Sequence, residues 1–266
     1  MNQVHPSAAQ GFSSAALAYV RGRPEYPAEL LGWLGGELAL QAGTVCADLG
    51  AGTGKFTRLL VRTGAEVIAV EPVAAMRDQL VAGVPGVRAV DGTAQAMPLA
   101  DGSVDAVVCA QAFHWFADAE ALAEIHRVLR PGGRLGLVWN VRDESVDWVA
   151  AMTGIITPFE GDTPRYHTGR WRLPFTGGLF TDLEQTSFPY RHVGHPQEVI
   201  IDRTLSVSFI ASLPEAARAG VEAELRALIA AHPALRDRDS VAFPYETRAY
   251  RCARTPAPSG SAPATR

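Results

Sequence analysis

Hydrophobic positions along the chain fall into short unbroken runs separated by amphipathic stretches. TVCADLG (44–50), EVIAVEP (66–72), VRAVDG (87–92), VDAVVCA (104–110) and RLGLVWN (134–140) predict five strands. None alternates apolar with polar as a strand with one wet face does, so both faces are expected under helices, as in a parallel sheet. Helices are predicted between them at 54–63, 73–82 and 117–130. The last is stopped by LRPGG, where Pro131 removes an amide donor and Gly132 favours a turn.

After Asn140 this rhythm is lost. The pattern predicts a helix near 144–157, a loop rich in glycine, proline and aromatics over 158–180, and a strand near 183–192. Helices near 196–211 and 214–231 and a strand near 240–252 follow. The two late strands are expected to pair antiparallel at the sheet edge, with the helices as a lid over the carboxyl ends of the parallel strands. The fold class is therefore α/β: a doubly wound, mostly parallel seven-stranded sheet with an antiparallel last strand and a small helical lid.

Composition narrows the partners. The 266 residues suit one large domain, and 47% apolar with 20% charged residues describes an ordinary globular chain. A net charge of −4 supplies no global basic field, which favours a small-molecule substrate over nucleic acid. Cys46, Cys109 and Cys252 form no C-x-x-C pair, so neither a disulfide framework nor a zinc site is expected, and a reducing cytoplasm fits. Cys46 and Cys109 read as core, and Cys252 lies near a ragged end. No run suggests a signal peptide or a membrane span, and no motif sets an oligomeric state. Residues 1–10 and the tail 255–266 are too rich in small residues and proline to build a core and read as flexible. The folded body is placed at 11–254, with an N-terminal cap over 11–40 and lid segments at about 158–180 and 196–232.

ADLGAGTGKF (47–56) is the densest candidate for chemistry. A Walker-type phosphate loop requires G-x-x-x-x-G-K-[ST]; aligned on Lys55, Leu49 stands at the first glycine and Phe56 at the hydroxyl. A dinucleotide fold requires G-x-G-x-x-G, whereas Gly50, Gly52 and Gly54 give G-x-G-x-G. Asp48 would also repel a pyrophosphate in a partly dry cleft. A ligand with an ammonium, a carboxylate and no phosphate has the opposite needs, which an acid beside backbone amides at a helix start can meet. Lys55 is expected to face solvent.

At these positions the chain resembles the class I S-adenosylmethionine-dependent methyltransferases, with their D-x-G-x-G-x-G motif, and specifically the small-molecule branch called methyltransferase type 11. The resemblance runs from about Phe12 to Cys252 and implies S-adenosylmethionine as cofactor, on a Rossmann-like fold. It places Asp48, Gly50, Gly52, Thr53 and Gly54 on the methionine moiety, Glu71 on the ribose hydroxyls, and Pro72 and Met76 beside the adenine. Asp91, with Thr93 and Ala94, is placed at the adenine amino group, and Ala110 and Gln111 complete the cofactor contacts. AYVRGRPEYP (18–27) is similar to a segment that folds over the cofactor in this branch, making Tyr19 and Arg23 cap candidates.

His114 leaves the fourth strand at the edge where doubly wound folds hold ligands, and is the candidate catalytic base, with Tyr190 in reserve; the alternative is that it packs with Trp115 and bonds a loop carbonyl. Trp115, Trp139, Asn140 and Tyr166 are candidate substrate contacts, as is Arg142. Tyr166, His167, Arg170 and Trp171 belong to a loop that either closes over the pocket or forms a satellite core. His126 is expected on a solvated helix face. His192 and His195 lack further ligands, so no metal is expected. Direct methyl transfer to a small molecule is the expected activity. The alternatives are cyclisation or elimination of the cofactor side chain, a non-catalytic cofactor-binding protein and, at fold level, a dehydrogenase. CAQAFHW at the end of the fourth strand lacks the N-P-P-Y signature of base-amino methylases.

Overall fold

A computed structural model describes residues 23–256. Tyr19, the first ten residues and the tail beyond Pro256 lie outside the described residues. The five expected runs form β1 (Val45–Leu49), β2 (Glu66–Val70), β3 (Arg88–Val90), β4 (Val104–Ala110) and β5 (Leu129–Arg142). With β6 (Glu184–Gly194) and β7 (Val241–Ala253) they make one seven-stranded sheet in the order β3-β2-β1-β4-β5-β7-β6. β1 to β5 pair in parallel, and β7 runs antiparallel to both β5 and β6. The chain steps outward from β1 to β3 and then restarts at β4 on the other side of β1. That reversal opens a crevice at the carboxyl ends of β1 and β4.

Helices α1 (Glu29–Glu37), α2 (Thr57–Val61), α3 (Ala74–Gly83), α4 (Ala119–Val128), α5 (Asp147–Ile156) and α6 (Glu215–Ala231) cover the sheet and its rim. On one face α1 lays Leu30, Trp33 and Leu34 against Cys46, Ala106 and Val108. On the other, α4 buries Leu122, Ile125 and Val128 against Val107, Cys109 and Leu137. Asp118 caps α4, accepting from the Ala121 amide at 2.7 Å. The late segments build their own apolar core around Trp148, Met152, Ile200, Phe209, Leu225 and Phe243.

Several boundaries differ from the sequence reading. The helix expected over 54–63 shortens to α2 because residues 50–54 stay in glycine turns. The helix expected to reach 130 ends at Val128: Leu129 is already extended and pairs with Val104, and a register shift carries RPGG before Arg134 pairs with Ala106. The helix expected at 196–211 is a π-helical turn (Gln197–Asp202) followed by short turns at Arg203–Leu205 and Ser208–Ala211. His126 faces inward, with Nε2 bonded to the Thr255 carbonyl at 2.9 Å and its ring edge-on to Phe180. Cys46, Cys109 and Cys252 are all buried, the last inside β7 rather than at a frayed end. No helix among the described residues is long and apolar enough to cross a membrane.

Candidate active site

The crevice at the sheet reversal holds ADLGAGTGKF. Gly50, Gly52 and Gly54 all take positive φ, at 72°, 57° and 81°. Gly50 is doubly constrained, since a Cβ there would stand 2.8 Å from the Ala112 Cβ. Asp48 ends β1 almost fully buried. Its Oδ2 accepts from the Thr57 hydroxyl at 2.6 Å, while Oδ1 is buried without a hydrogen-bond partner among the described residues. Burial pushes its carboxyl up to about 7, with the Glu71 charge adding and the Thr57 hydrogen bond opposing. A cavity lined by Arg23, Asp48, Gly50, Gly52, Thr53, Ala110, Gln111 and Arg203 lies against the loop.

Three amides of the loop are committed within the fold. Those of Gly50 and Ala51 donate to the Val70 carbonyl, and that of Gly52 donates to Glu71 Oε2 at 2.9 Å. They hold the loop's own shape, while the guanidiniums of Arg23 and Arg203 line the same cavity and suit a ligand carboxylate. Glu71 also accepts from the Val73 amide at 3.0 Å through Oε1, and burial raises its pKa. Met76 is buried with its sulfur near Gly52, and Pro72 is half-buried at the start of α3. Asp91 is exposed and paired with Arg77 at 3.2 Å, beside the Thr93–Ala96 turn that buries Ala94.

Lys55 does not point to solvent. It donates to the Arg23 carbonyl and pairs with Glu25 at 3.1 Å, its side chain only 17% exposed. Asn140 Nδ2 donates to the Glu25 carbonyl at 2.9 Å, and Tyr26 stands edge-on to Phe56 at 4.8 Å. Arg23 in turn donates to the Ser206 carbonyl at 3.0 Å. Residues 23–26 are thus tied to the glycine loop, to β5 and to the turn at Ser206. Asn140 is held at both ends of its amide, because its Oδ1 accepts from Thr247 at 2.6 Å.

A second cavity adjoins the first at Arg23, Gln111 and Arg203. Gln111 adopts φ 58°, a left-handed conformation uncommon outside glycine, at the junction itself. This cavity is lined by Trp115, Trp139, Asn140, Arg142 and Tyr166, the candidate substrate contacts, by His114, the candidate base, and also by Glu144, Arg165 and His167. The 158–180 loop does both things considered for it: Tyr166 lines the cavity, and Trp171 is buried 4.7 Å from Trp139 in the main core.

His114 accepts from Trp139 Nε1 through Nδ1 at 3.1 Å. A nitrogen that accepts carries no proton, so the neutral ring holds its proton on Nε2. Burial, then the charges of Arg165 and Arg23, lower its pKa to about 3. Both facts run against the base role expected of it and suit a fixed hydrogen-bond donor. Tyr190 packs on Tyr245 in β6 and burial raises its pKa, which does not suit a base either. Arg165 and Arg203 were not singled out from the sequence. They arrive from segments without a motif, and only their shared placement after the last parallel strand hints at the site.

The methyltransferase domain family Methyltransf_11 matches residues 47–137. A methyltransferase-like protein of Schizosaccharomyces pombe is 39% identical over 249 residues, spanning 92% of this chain and 96% of that protein. A methyltransferase of Mycobacterium tuberculosis is 45% identical over 236 residues, spanning 89% and 92%. The solved structure of the YcgJ protein from Bacillus subtilis superposes with a TM-score of 0.53 at 22% identity, covering 85% of this chain and 98% of that one, which bears on the fold alone. With the glycine loop, the acid before it and full-length relatives in agreement, the chain belongs to the class I S-adenosylmethionine-dependent methyltransferases.

Proposed function

We infer that the chain transfers a methyl group from S-adenosylmethionine to a small-molecule acceptor by direct displacement. The buried, unpartnered Oδ1 of Asp48 carries this reading. An orphaned carboxylate oxygen is costly unless a donor reaches it, and the ammonium of an amino acid is such a donor. Arg23 and Arg203 line the same cavity and suit the neighbouring carboxylate. A pyrophosphate would meet Asp48 with like charge, which disfavours a dinucleotide.

The cofactor supplies a methyl group already activated by a sulfonium, with a neutral thioether as leaving group. The protein's task is therefore alignment and exclusion of water. Glu71, whose oxygens each keep a second lone pair beside the amide they accept, would take the ribose hydroxyls. Pro72 and Met76 would flank the adenine, with Asp91, Thr93 and Ala94 at its amino group, and Ala110 and Gln111 would face the methyl. Tyr19 and Arg23 would close the cap. His114 would orient the acceptor by donating from Nε2, with Trp115, Trp139 and Tyr166 as walls.

Product analysis tests the reading. Incubation with S-adenosylmethionine and a small-metabolite extract is expected to give S-adenosylhomocysteine in an acceptor-dependent manner. Methylthioadenosine without acceptor would instead show cyclisation or elimination of the side chain, and tight S-adenosylhomocysteine binding without turnover would show a non-catalytic protein.

A further inference from the structure

Arg142, Arg165 and Arg203 reach one cavity from three separate segments: the end of β5, the loop after α5 and the turn after β6. None of the three guanidiniums makes a hydrogen bond to another described residue, and Arg203 Nε is buried as well. By contrast, Arg127, Arg130 and Arg251 elsewhere in the fold hold carboxylates at 2.6 to 2.7 Å. The acids nearest the cavity arginines stand off, Glu144 at 3.9 Å from Arg142 and Glu160 at 3.7 Å from Arg165, beyond hydrogen-bond distance. Burial and mutual repulsion lower the pKa values of Arg142 and Arg165, the mark of cations short of counter-charge. A bound S-adenosylmethionine adds a sulfonium and an ammonium against one carboxylate, which increases the positive excess.

Among the described residues, no buried base lines the same cavity. His114 presents a donor, the Tyr166 hydroxyl is bonded to that of Tyr250 at 2.6 Å, Glu144 is half-exposed beside Arg142, and His167 is largely exposed and faces Glu160 at 3.3 Å. An acceptor that reacts here must arrive with a lone pair that needs no proton removed; a carboxylate has one at neutral pH and matches the planar fork of a guanidinium, whereas an aliphatic amine would arrive as an ammonium that these cations repel.

We propose that the acceptor is a small carboxylic acid, bound as its anion by Arg142 and Arg165 with Arg203 at the junction of the two cavities, and methylated on a carboxylate oxygen. This rests on the methyltransferase reading above. A lone pair of the carboxylate oxygen forms the new O–CH3 bond as the S–CH3 bond breaks, and that bonding pair stays on sulfur. The anion and the sulfonium are both neutralised, giving a methyl ester and S-adenosylhomocysteine, and no proton moves.

The test uses the full chain, methyl-tritiated S-adenosylmethionine and three acceptor sets: mono-, di- and tricarboxylic acids of four to eight carbons, their amides, and phosphate monoesters of similar size. A total small-metabolite extract serves as a fourth source. Methyl esters release volatile labelled methanol in mild base, so such label from the acids and the extract, and none from the amides or phosphate esters, is expected. Arg142→Gln and Arg165→Gln should lower kcat/KM for the acid by about tenfold or more, the range of a lost charge-assisted hydrogen bond, with S-adenosylhomocysteine affinity held within about twofold. Base-stable label, equal transfer to the amides, a preference for phosphate esters, or no transfer at all from a protein that binds S-adenosylhomocysteine would overturn the proposal. Failure of wild-type protein to bind S-adenosylhomocysteine, measured before any acceptor is added, would instead overturn the methyltransferase reading beneath it.

Discussion

Asp48→Asn is the most informative substitution at the glycine loop, because it is expected to stabilise the ligand-free protein while weakening its ligand. The carboxyl is held at about 7 in the folded chain against 3.8 in an exposed reference. Between these values the folded protein keeps a proton that the unfolded chain has lost, so stability falls as pH rises through the window and levels off above it. Three units at 1.36 kcal/mol each set a ceiling of about 4 kcal/mol on the cost of ionised Asp48 at pH 8. The amide carries no such cost and still offers an oxygen to Thr57. Urea unfolding of the ligand-free proteins should therefore show near-equal stability at pH 4 and an advantage for the variant at pH 8, bounded by that ceiling. Calorimetric titration at pH 7 should show S-adenosylhomocysteine bound about tenfold to a hundredfold more weakly by the variant, the range of a lost charge-assisted hydrogen bond. Wild-type binding should also release protons to the buffer at pH 6 to 7, and variant binding should not. A variant less stable than wild type at pH 8, or one of unchanged affinity, would refute the reasoning.

Gly50→Ala combines a φ of 72° with a Cβ 2.8 Å from that of Ala112, and should cost about 2 kcal/mol or more of stability by denaturant unfolding and abolish S-adenosylhomocysteine binding. Lys55→Met removes the tie to Arg23 and Glu25; because the group is outside the sheet core, cofactor affinity should fall about fivefold with Tm nearly unchanged, and an unaltered affinity would deny the cap a role in binding. Nitrogen-15 spectra of His114 should show a proton on Nε2 alone from pH 5 to 8, and an imidazolium at pH 6 would contradict the Trp139 hydrogen bond. Trp139→Phe should free Nδ1 and let both neutral tautomers appear, while burial and the charges of Arg165 and Arg23 keep the His114 pKa well below its ordinary 6.5.

The sheet was readable because parallel strands buried on both faces leave unbroken apolar runs, and β4 matches its run at both ends. The glycine loop was readable because three residues needing positive φ at a spacing of two leave few alternatives to glycine. Helix α1 escaped notice, since ELLGWLGGE carries three glycines and is stabilised by Leu30, Trp33 and Leu34 packing on the sheet rather than by propensity. Lys55 was misjudged for a related reason: its partners, Arg23 and Glu25, lie some thirty positions upstream and no local pattern announces them. The arginine cavity is the extreme case. Arg142, Arg165 and Arg203 share no spacing, and only the folded topology gathers them in a chain whose formal charge is −4. His114 was located correctly at the rim of β4, but its role depends on an indole 25 residues away, which fixes the tautomer.

A calorimetric titration of the wild-type chain with S-adenosylhomocysteine, with and without excess NAD, tests the central claim that the crevice beside Asp48 holds an amino-acid nucleoside. Saturable binding of S-adenosylhomocysteine that NAD leaves untouched is predicted, whereas binding of NAD in its place would make the crevice a dinucleotide site.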